Sequence, residues 1–278
     1  MIVRFAGIAA GFAAMVIASS AMAETPLERG TYLVKTIGGC GNCHTPKGAR
    51  GVPVADKEMA GGFKFDEKPF TAHASNITPD PETGIGKWTD QQIIDAIRKG
   101  KRPDGSTIGP PMPVALYRDI AEDDVKAIVA YLRSLKPIVN KVPKSVYRIP
   151  LPPSYGPVTT AKTVSRADKV AYGGYLTNAI GHCTECHSTP DARGAPDFKN
   201  GLGGGGRNFH GPWGVVVASN ITPTNLKSWS DDEIKKAITT GQRKAGPIKG
   251  PMAIRLYKDI SNSDLDAIVA YLRTMPPK

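Results

Sequence analysis

Long apolar runs are scarce in this chain of 278 residues. After the first twenty residues no stretch reaches the roughly 20 apolar residues that a bilayer-spanning helix needs. An integral membrane fold for the mature chain is therefore not expected. Aromatic residues make up only 7%, and no basic cluster is interleaved with them, so nucleic acid is not an expected partner. Cysteine occurs only four times; in an exported chain that would ordinarily suggest two disulfides, but the spacing argues otherwise. Convincing strand alternation is also missing, which leaves a helical reading.

What is present begins with a leader. Arg4 gives a short positive start, an apolar run follows from Phe5 to Ala18, and Ala21-Met22-Ala23 offers small residues at the positions a signal peptidase reads. Residues 1–23 thus read as a cleavable signal peptide and place the mature protein in the periplasm. The formal charge is +11, and it is unevenly spread. Residues 24–137 hold 16 Lys/Arg against 15 Asp/Glu, 138–166 hold 5 against none, and 167–278 hold 14 against 10. A basic half can steer an acidic partner, or serve solubility alone.

The chain is a duplication. Residues 28–136 match 171–275 in order. Cys40 and His44 match Cys183 and His187, Ser75-Asn-Ile-Thr-Pro79 matches Ser219-Asn-Ile-Thr-Pro223, Trp88 matches Trp229, and Met112 matches Met252. Ile128-Val-Ala-Tyr-Leu-Arg133 recurs as Ile268-Val-Ala-Tyr-Leu-Arg273. Between the copies, Pro137, Pro143, Pro150, Pro152, Pro153 and Pro157 favour an extended, semi-rigid path that lies across the domains rather than hanging free. The expected organisation is a first domain at 24–137, a linker at 138–166 and a second domain at 167–278. Within each copy a helix over 26–39 runs into the first cysteine motif. Thr89 with Gln92 and Ser230 with Glu233 fit capping boxes, and Gly100 and Gly241 suit left-handed helix ends. Amphipathic helices are expected over 123–135 and 264–274. Ser261 can cap the second of these; Ala121 cannot cap the first.

Both cysteine pairs read Cys-x-x-Cys-His: Cys40, Cys43 and His44, then Cys183, Cys186 and His187. This is the attachment pattern of c-type haem, in which two thiols bond the porphyrin vinyls and the next residue ligates iron. A single motif could be a redox dithiol or half a zinc site; two copies in equivalent places of an exported helical protein point to two covalently bound haem c groups. The opposite face of each iron needs a ligand, and methionine or histidine is usual. Only Met112 and Met252 correspond between the copies, each after a proline in a Gly/Pro-rich loop. Met59 and Met275 align with leucines, and His73, His182 and His210 have no counterpart. Trp88 and Trp229 suit either a haem propionate or a plain core role. The Ser-Asn-Ile-Thr-Pro repeats read as a structural turn near the haem, and Gly203–Gly206 as a flexible loop.

On these residues the chain resembles the class I c-type cytochromes: a first helix running into Cys-x-x-Cys-His, a late Pro-Met loop, then a final helix. Gly30 with Tyr131, and Gly173 with Tyr271, look like the first-to-last helix contact of that fold. More narrowly, residues 76–88 and the Pro-Pro-Met-Pro loop at 110–113 resemble the cytochrome subunits of periplasmic alcohol and gluconate dehydrogenases. The resemblance implies an all-α fold of two tandem cytochrome domains. It implies a carrier, not an enzyme, that takes electrons from a periplasmic dehydrogenase and passes them to an oxidase or another cytochrome. Those subunits often carry three haems and a membrane tail; here there are two motifs, so a soluble relative is expected, with peripheral membrane contact compatible. With His44 and Met112, and His187 and Met252, on the two faces, each iron would be closed, which suits one-electron transfer. The competing expectation is a dihaem enzyme of peroxidase or thiosulfate dehydrogenase type, which needs an iron that opens or a cysteine ligand.

Overall fold

A computed structural model of the chain describes residues 23–159 and 163–278. The expected leader lies outside the described residues apart from Ala23. Among the described residues no helix is long and apolar enough to cross a membrane.

Each repeat is built on the crossing of its first and last helices. In repeat 1 these are α1 (Pro26–Lys35) and α5 (Glu122–Ser134), and in repeat 2 α6 (Lys169–Tyr175) and α11 (Asn262–Thr274). Helix α1 starts at a capping box: the Thr25 hydroxyl accepts the Glu28 N–H at 3.2 Å and the Glu28 carboxylate takes the Thr25 N–H at 2.8 Å. The helices cross where a side chain is missing. A Cβ at Gly30 would stand 1.9 Å from the Ala127 carbonyl oxygen, and one at Gly173 would stand 1.8 Å from that of Ala267. Only glycine lets the backbones approach that closely. Tyr131 borders Gly30 as expected, whereas the Tyr271 ring faces Gly174, one residue beyond the expected Gly173. Leu33, Val34 and Ile37 of repeat 1 bury against Val125, Ile128, Val129 and Leu132; Tyr172, Leu176 and Ile180 do the same against Leu265, Ile268, Val269 and Leu272.

The middle of each repeat carries the short helices. Helix α2 (Gly41–His44) holds the first cysteine motif and α7 (Cys183–His187) the second. Helices α3 (Asp90–Lys99) and α9 (Asp231–Thr240) begin at the capping boxes of Thr89 and Ser230 and end at Gly100 and Gly241 with φ of 64° and 69°. Helices α4 (Val114–Tyr117) and α10 (Ile254–Tyr257) follow the Pro-Met loops, and α8 (Pro223–Leu226) is a single turn in repeat 2.

The all-α expectation is corrected by two small sheets: among the described residues helix accounts for 37% and strand for 10%. Strands β1 (Lys64–Glu67) and β2 (Phe70–His73) form a hairpin, and β3 (Val146–Tyr147) of the linker adds to β2. Strands β4 (Asn208–Gly211) and β5 (Gly214–Val217) form the matching hairpin in repeat 2. These strands escaped the sequence pattern for a physical reason. They are four residues or fewer, sit at the periphery, and β1, β4 and β5 are largely exposed, so no buried face imposes an alternation. The proline-rich linker follows the surface of repeat 1. Asn140 donates to the Ala60 carbonyl at 2.8 Å, and Tyr155 donates to that of Ile108 at 2.8 Å.

The contacts between the two repeats are reciprocal. Tyr32 donates its phenol to Asp264 at 2.8 Å and accepts the Ser261 N–H at 3.1 Å. Its counterpart Tyr175 donates to Asp124 at 2.7 Å and accepts the Ala121 N–H at 3.1 Å. The tyrosines hold the N–H of the N-cap residue in both repeats; α11 has the Ser261 side-chain cap in addition, and α5 begins without one. Gly38 meets Ile180, and Gly181 meets Ile37. Symmetry breaks at Arg29, whose guanidinium binds Asp124 at 2.7 Å and Tyr172, its own counterpart, at 3.3 Å.

Gly30→Ala or Gly173→Ala should push the crossing helices apart. We expect a loss of about 1–3 kcal/mol, read as a lowered melting temperature by circular dichroism. An unchanged melting temperature would mean that the crossing relaxes freely.

Candidate functional site

The cysteine motifs sit where the first helix of each repeat turns into the interface. Gly39 and His182 occupy equivalent left-handed positions just before α2 and α7, with φ of 57° and 39°. All four cysteines are free and part-exposed. Desolvation pushes the thiols up, to about 12 for Cys40 and Cys186 and about 11 for Cys43 and Cys183. Reactive dithiols show the opposite shift, toward the thiolate. Among the described residues no group of three or more His, Cys, Asp and Glu side chains is arranged to hold a bare metal ion. The redox-dithiol and zinc readings therefore find no support in the geometry. Thiols in part-exposed positions, with a histidine directly following, fit covalent attachment of a haem.

The histidines are oriented identically. His44 Nδ1 lies 2.8 Å from the Ser75 carbonyl, and His187 Nδ1 lies 2.7 Å from that of Ser219. A carbonyl only accepts, so Nδ1 carries the proton and Nε2 keeps its lone pair, the state a metal-ligating imidazole needs. Burial lowers the pKa of both imidazoles against the opposing pull of that carbonyl, which favours the neutral, ligating form. The Ser-Asn-Ile-Thr-Pro repeat thus supplies the orienting group. Its asparagine fixes the turn: Asn76 Oδ1 accepts from the Thr78 N–H and hydroxyl at 3.0 and 2.8 Å, and Asn220 does so for Thr222 at 2.7 Å each. Gly61 and Gly205 close the cradle. Their N–H groups bind the His44 and His187 carbonyls at 2.7 Å, and a Cβ on either would collide with the asparagine backbone. Gly205 belongs to a stretch the sequence presents as a flexible loop; it is a fixed part of the site instead. The aligned glycines at 61 and 205 were the available signal.

Met112 and Met252 occupy matching loops. Each carbonyl is bound by the N–H two residues on, Val114 and Ile254, at 2.9 Å, and both side chains are part-buried. Met59 and Met275 are buried in the core, 1% and 2% exposed. Of the other histidines, His210 is exposed on β4, and the His73 backbone N–H is held by Ser145. His182 packs edge-on against Tyr117 at 5.6 Å and lies 3.4 Å from Glu185. Trp88 and Trp229 pack on the core. Their carbonyls are held by Arg133 and Arg273, which also bind Asp90 and Asp231. These arginine clamps were not foreseen, although both end the repeated Ile-Val-Ala-Tyr-Leu-Arg motif.

The two cysteine motifs share one neighbourhood. Gly39, just before the first, borders Leu256 and Ala253 of repeat 2, and His182, just before the second, packs on Tyr117 of repeat 1. Tyr117 and Tyr257 are equivalent residues, the first buried and the second part-buried, and their phenols are raised well above the ordinary range, chiefly by burial.

The sequence profile of the cytochrome c family matches residues 27–136. The chain is 32% identical to the cytochrome c subunit of an alcohol dehydrogenase (quinone) from Gluconobacter oxydans (strain 621H), over 91% of this chain and 55% of that protein. It is 30% identical to a fructose dehydrogenase cytochrome subunit from Gluconobacter japonicus, over 91% of this chain and 53% of that protein. It thus spans about half the length of these curated relatives. It is also 30% identical to a dihaem cytochrome c-type protein from Cereibacter sphaeroides (strain ATCC 17023 / DSM 158), over 86% of this chain and 82% of the relative. The residues that the profile matches include the first cysteine motif and its histidine cradle, and the chain belongs to the cytochrome c family, whose members carry covalent haem c and transfer electrons.

Proposed function

We propose that the chain is an exported dihaem electron carrier that takes electrons from a periplasmic dehydrogenase and delivers them to an oxidase or another cytochrome of a respiratory chain. The observation that carries this reading is the duplicated histidine arrangement: in both motifs Nδ1 is committed to a backbone carbonyl and Nε2 is left free. Cys40, Cys43, Cys183 and Cys186 would hold two haem c groups through thioethers. His44 and Met112 would ligate one iron, His187 and Met252 the other. Residues 24–137 and 167–278 would each form a haem domain, with 138–166 joining them. Bound haem supplies a one-electron iron couple, and methionine ligation raises its potential relative to two nitrogens.

The chain's own residues do the rest. The serine carbonyls fix imidazole orientation and raise the basicity of Nε2. The close approach of the two motifs supports exchange between the sites within one molecule. That suits a carrier serving a donor that releases electrons in pairs. The names of the relatives, cytochrome subunits of alcohol and fructose dehydrogenases, support a dehydrogenase as that donor and a role in transfer rather than in catalysis.

Pyridine haemochrome analysis of the protein purified from a periplasmic fraction should give two haems per chain. Met112→Leu or Met252→Leu should remove that site's near-infrared sulfur-to-iron band and lower its potential in a spectroelectrochemical titration. A spectrum untouched by either change overturns the ligand assignment at that site. Asn76→Ala should loosen the turn that presents the Ser75 carbonyl. It leaves a buried hydroxyl and N–H short of an acceptor, at a cost of about 1–3 kcal/mol. A lowered melting temperature with a shifted first-site potential is expected; the second site should titrate unchanged.

A further inference from the structure

The repeats differ most at one sheet edge. In repeat 1 the outer side of β2 is taken by the linker: Phe70 pairs with Tyr147 and Thr71 with Val146. Ser145 holds the His73 N–H at 2.9 Å, and the Arg148 N–H binds the Pro69 carbonyl at 2.8 Å. The same segment closes over the methionine loop, with Tyr147 and Leu151 both against Gly109.

Repeat 2 has the same hairpin without that cover. Val215 and Val217 stand where Thr71 and His73 stand, and β5 is the edge of a two-stranded sheet among the described residues. Gly211 and Gly214 close the two-residue hairpin loop as a hydrogen-bonded pair, so the next such pair is Phe209 with Val216. Val215 and Val217 therefore turn their backbone groups outward, and their side chains are 61% and 59% exposed. Val216 reaches the methionine loop, 2.9 Å from where a Cβ would sit on Gly250. The counterpart of buried Gly109 there is exposed Lys249, and Pro251 is exposed where Pro111 is part-buried. Natural proteins rarely leave such an edge bare and apolar without a use for it.

Charge selects the occupant. Residues 206–222 contain one arginine and no acid, and 241–258 contain five Lys/Arg and no acid. We propose that the outer edge of β5, with Lys249 and the methionine loop beside it, receives an extended acidic segment of a protein partner as an added strand. The chain's own β3 on β2 is the template for this mode of binding. The proposal adds a docking surface to the carrier reading, and its test measures binding alone, so either can fail without the other.

The probe is a synthetic peptide of residues 143–154 carrying Lys144→Glu, Ser145→Glu and Arg148→Glu, titrated into the reduced, haem-loaded, isotope-labelled full chain and followed by amide shifts. Shifts should concentrate at Gly214–Val217 and Gly250. The unaltered basic peptide should bind several-fold more weakly. Val217→Pro removes an outward N–H at an edge position that tolerates proline. It should leave the haem spectrum and melting temperature unchanged while weakening the acidic peptide about tenfold or more; Lys249→Glu should also weaken it. Shifts confined to other surfaces, or equal binding of the acidic and basic peptides, would overturn the proposal. So would self-association of the protein that Val217→Pro abolishes, since a second copy would then occupy the edge.

Discussion

The crossing of first and last helices at a glycine is the constraint on which the rest of the molecule depends. Gly30 and Gly173 let α1 and α6 lie directly on the carbonyls of Ala127 and Ala267. That approach sets where each first helix ends, and therefore where its cysteine motif begins. It also sets the orientation of Tyr32 and Tyr175, each two residues beyond the crossing glycine, which reach across to bind the N–H that begins the last helix of the other repeat. Burial holds the Tyr32 phenol up at about 12 and raises that of Tyr175 further still, so both remain protonated donors to Asp264 and Asp124. One small-residue contact, used twice, thus organises both the interior of each repeat and the face between them.

Much of the helical framework was legible in the sequence because its signals are side-chain signals. Thr89 with Gln92 and Ser230 with Glu233 bond as a capping box should, and Gly100 and Gly241 take the left-handed geometry their placement suggests. What was hidden rests on backbone atoms or on the partner repeat. The carbonyls of Ser75 and Ser219 orient the histidines, and a carbonyl has no residue type to reveal it. The strands were missed because hairpins this short are held by local pairing rather than by a buried face. The acceptor for the Ala121 N–H is Tyr175, 54 residues away, where no local pattern can show it. Duplication was the most informative feature, since it singled out positions that recur without saying what they do. At the site it separated Met112 and Met252 from two methionines that the structure places in the core.

The histidine cradle shows how a loop becomes rigid without regular structure. The asparagine side chain satisfies the turn, the glycine N–H binds the histidine carbonyl, and the serine carbonyl binds the ring. Each group has one task, and the same pattern is met in both repeats at nearly the same distances. The turn is also tied to the segment beyond the last helix: Asn76 donates to the Ile138 carbonyl and Asn220 to that of Lys278, each at 2.8 Å.

The linker has a consequence beyond connection. Two copies of one domain that meet through reciprocal contacts form, in effect, a dimer in a single chain. Free halves would separate on dilution according to their affinity. Joined through the segment between α5 and α6, they meet at a fixed local concentration set by the tether, on the order of millimolar for short spans. An interface that joins tyrosines to carboxylates and packs Ile37 and Ile180 across it can then stay closed at any protein concentration. The two cysteine motifs are kept together by chain connectivity as much as by the bonds between the repeats.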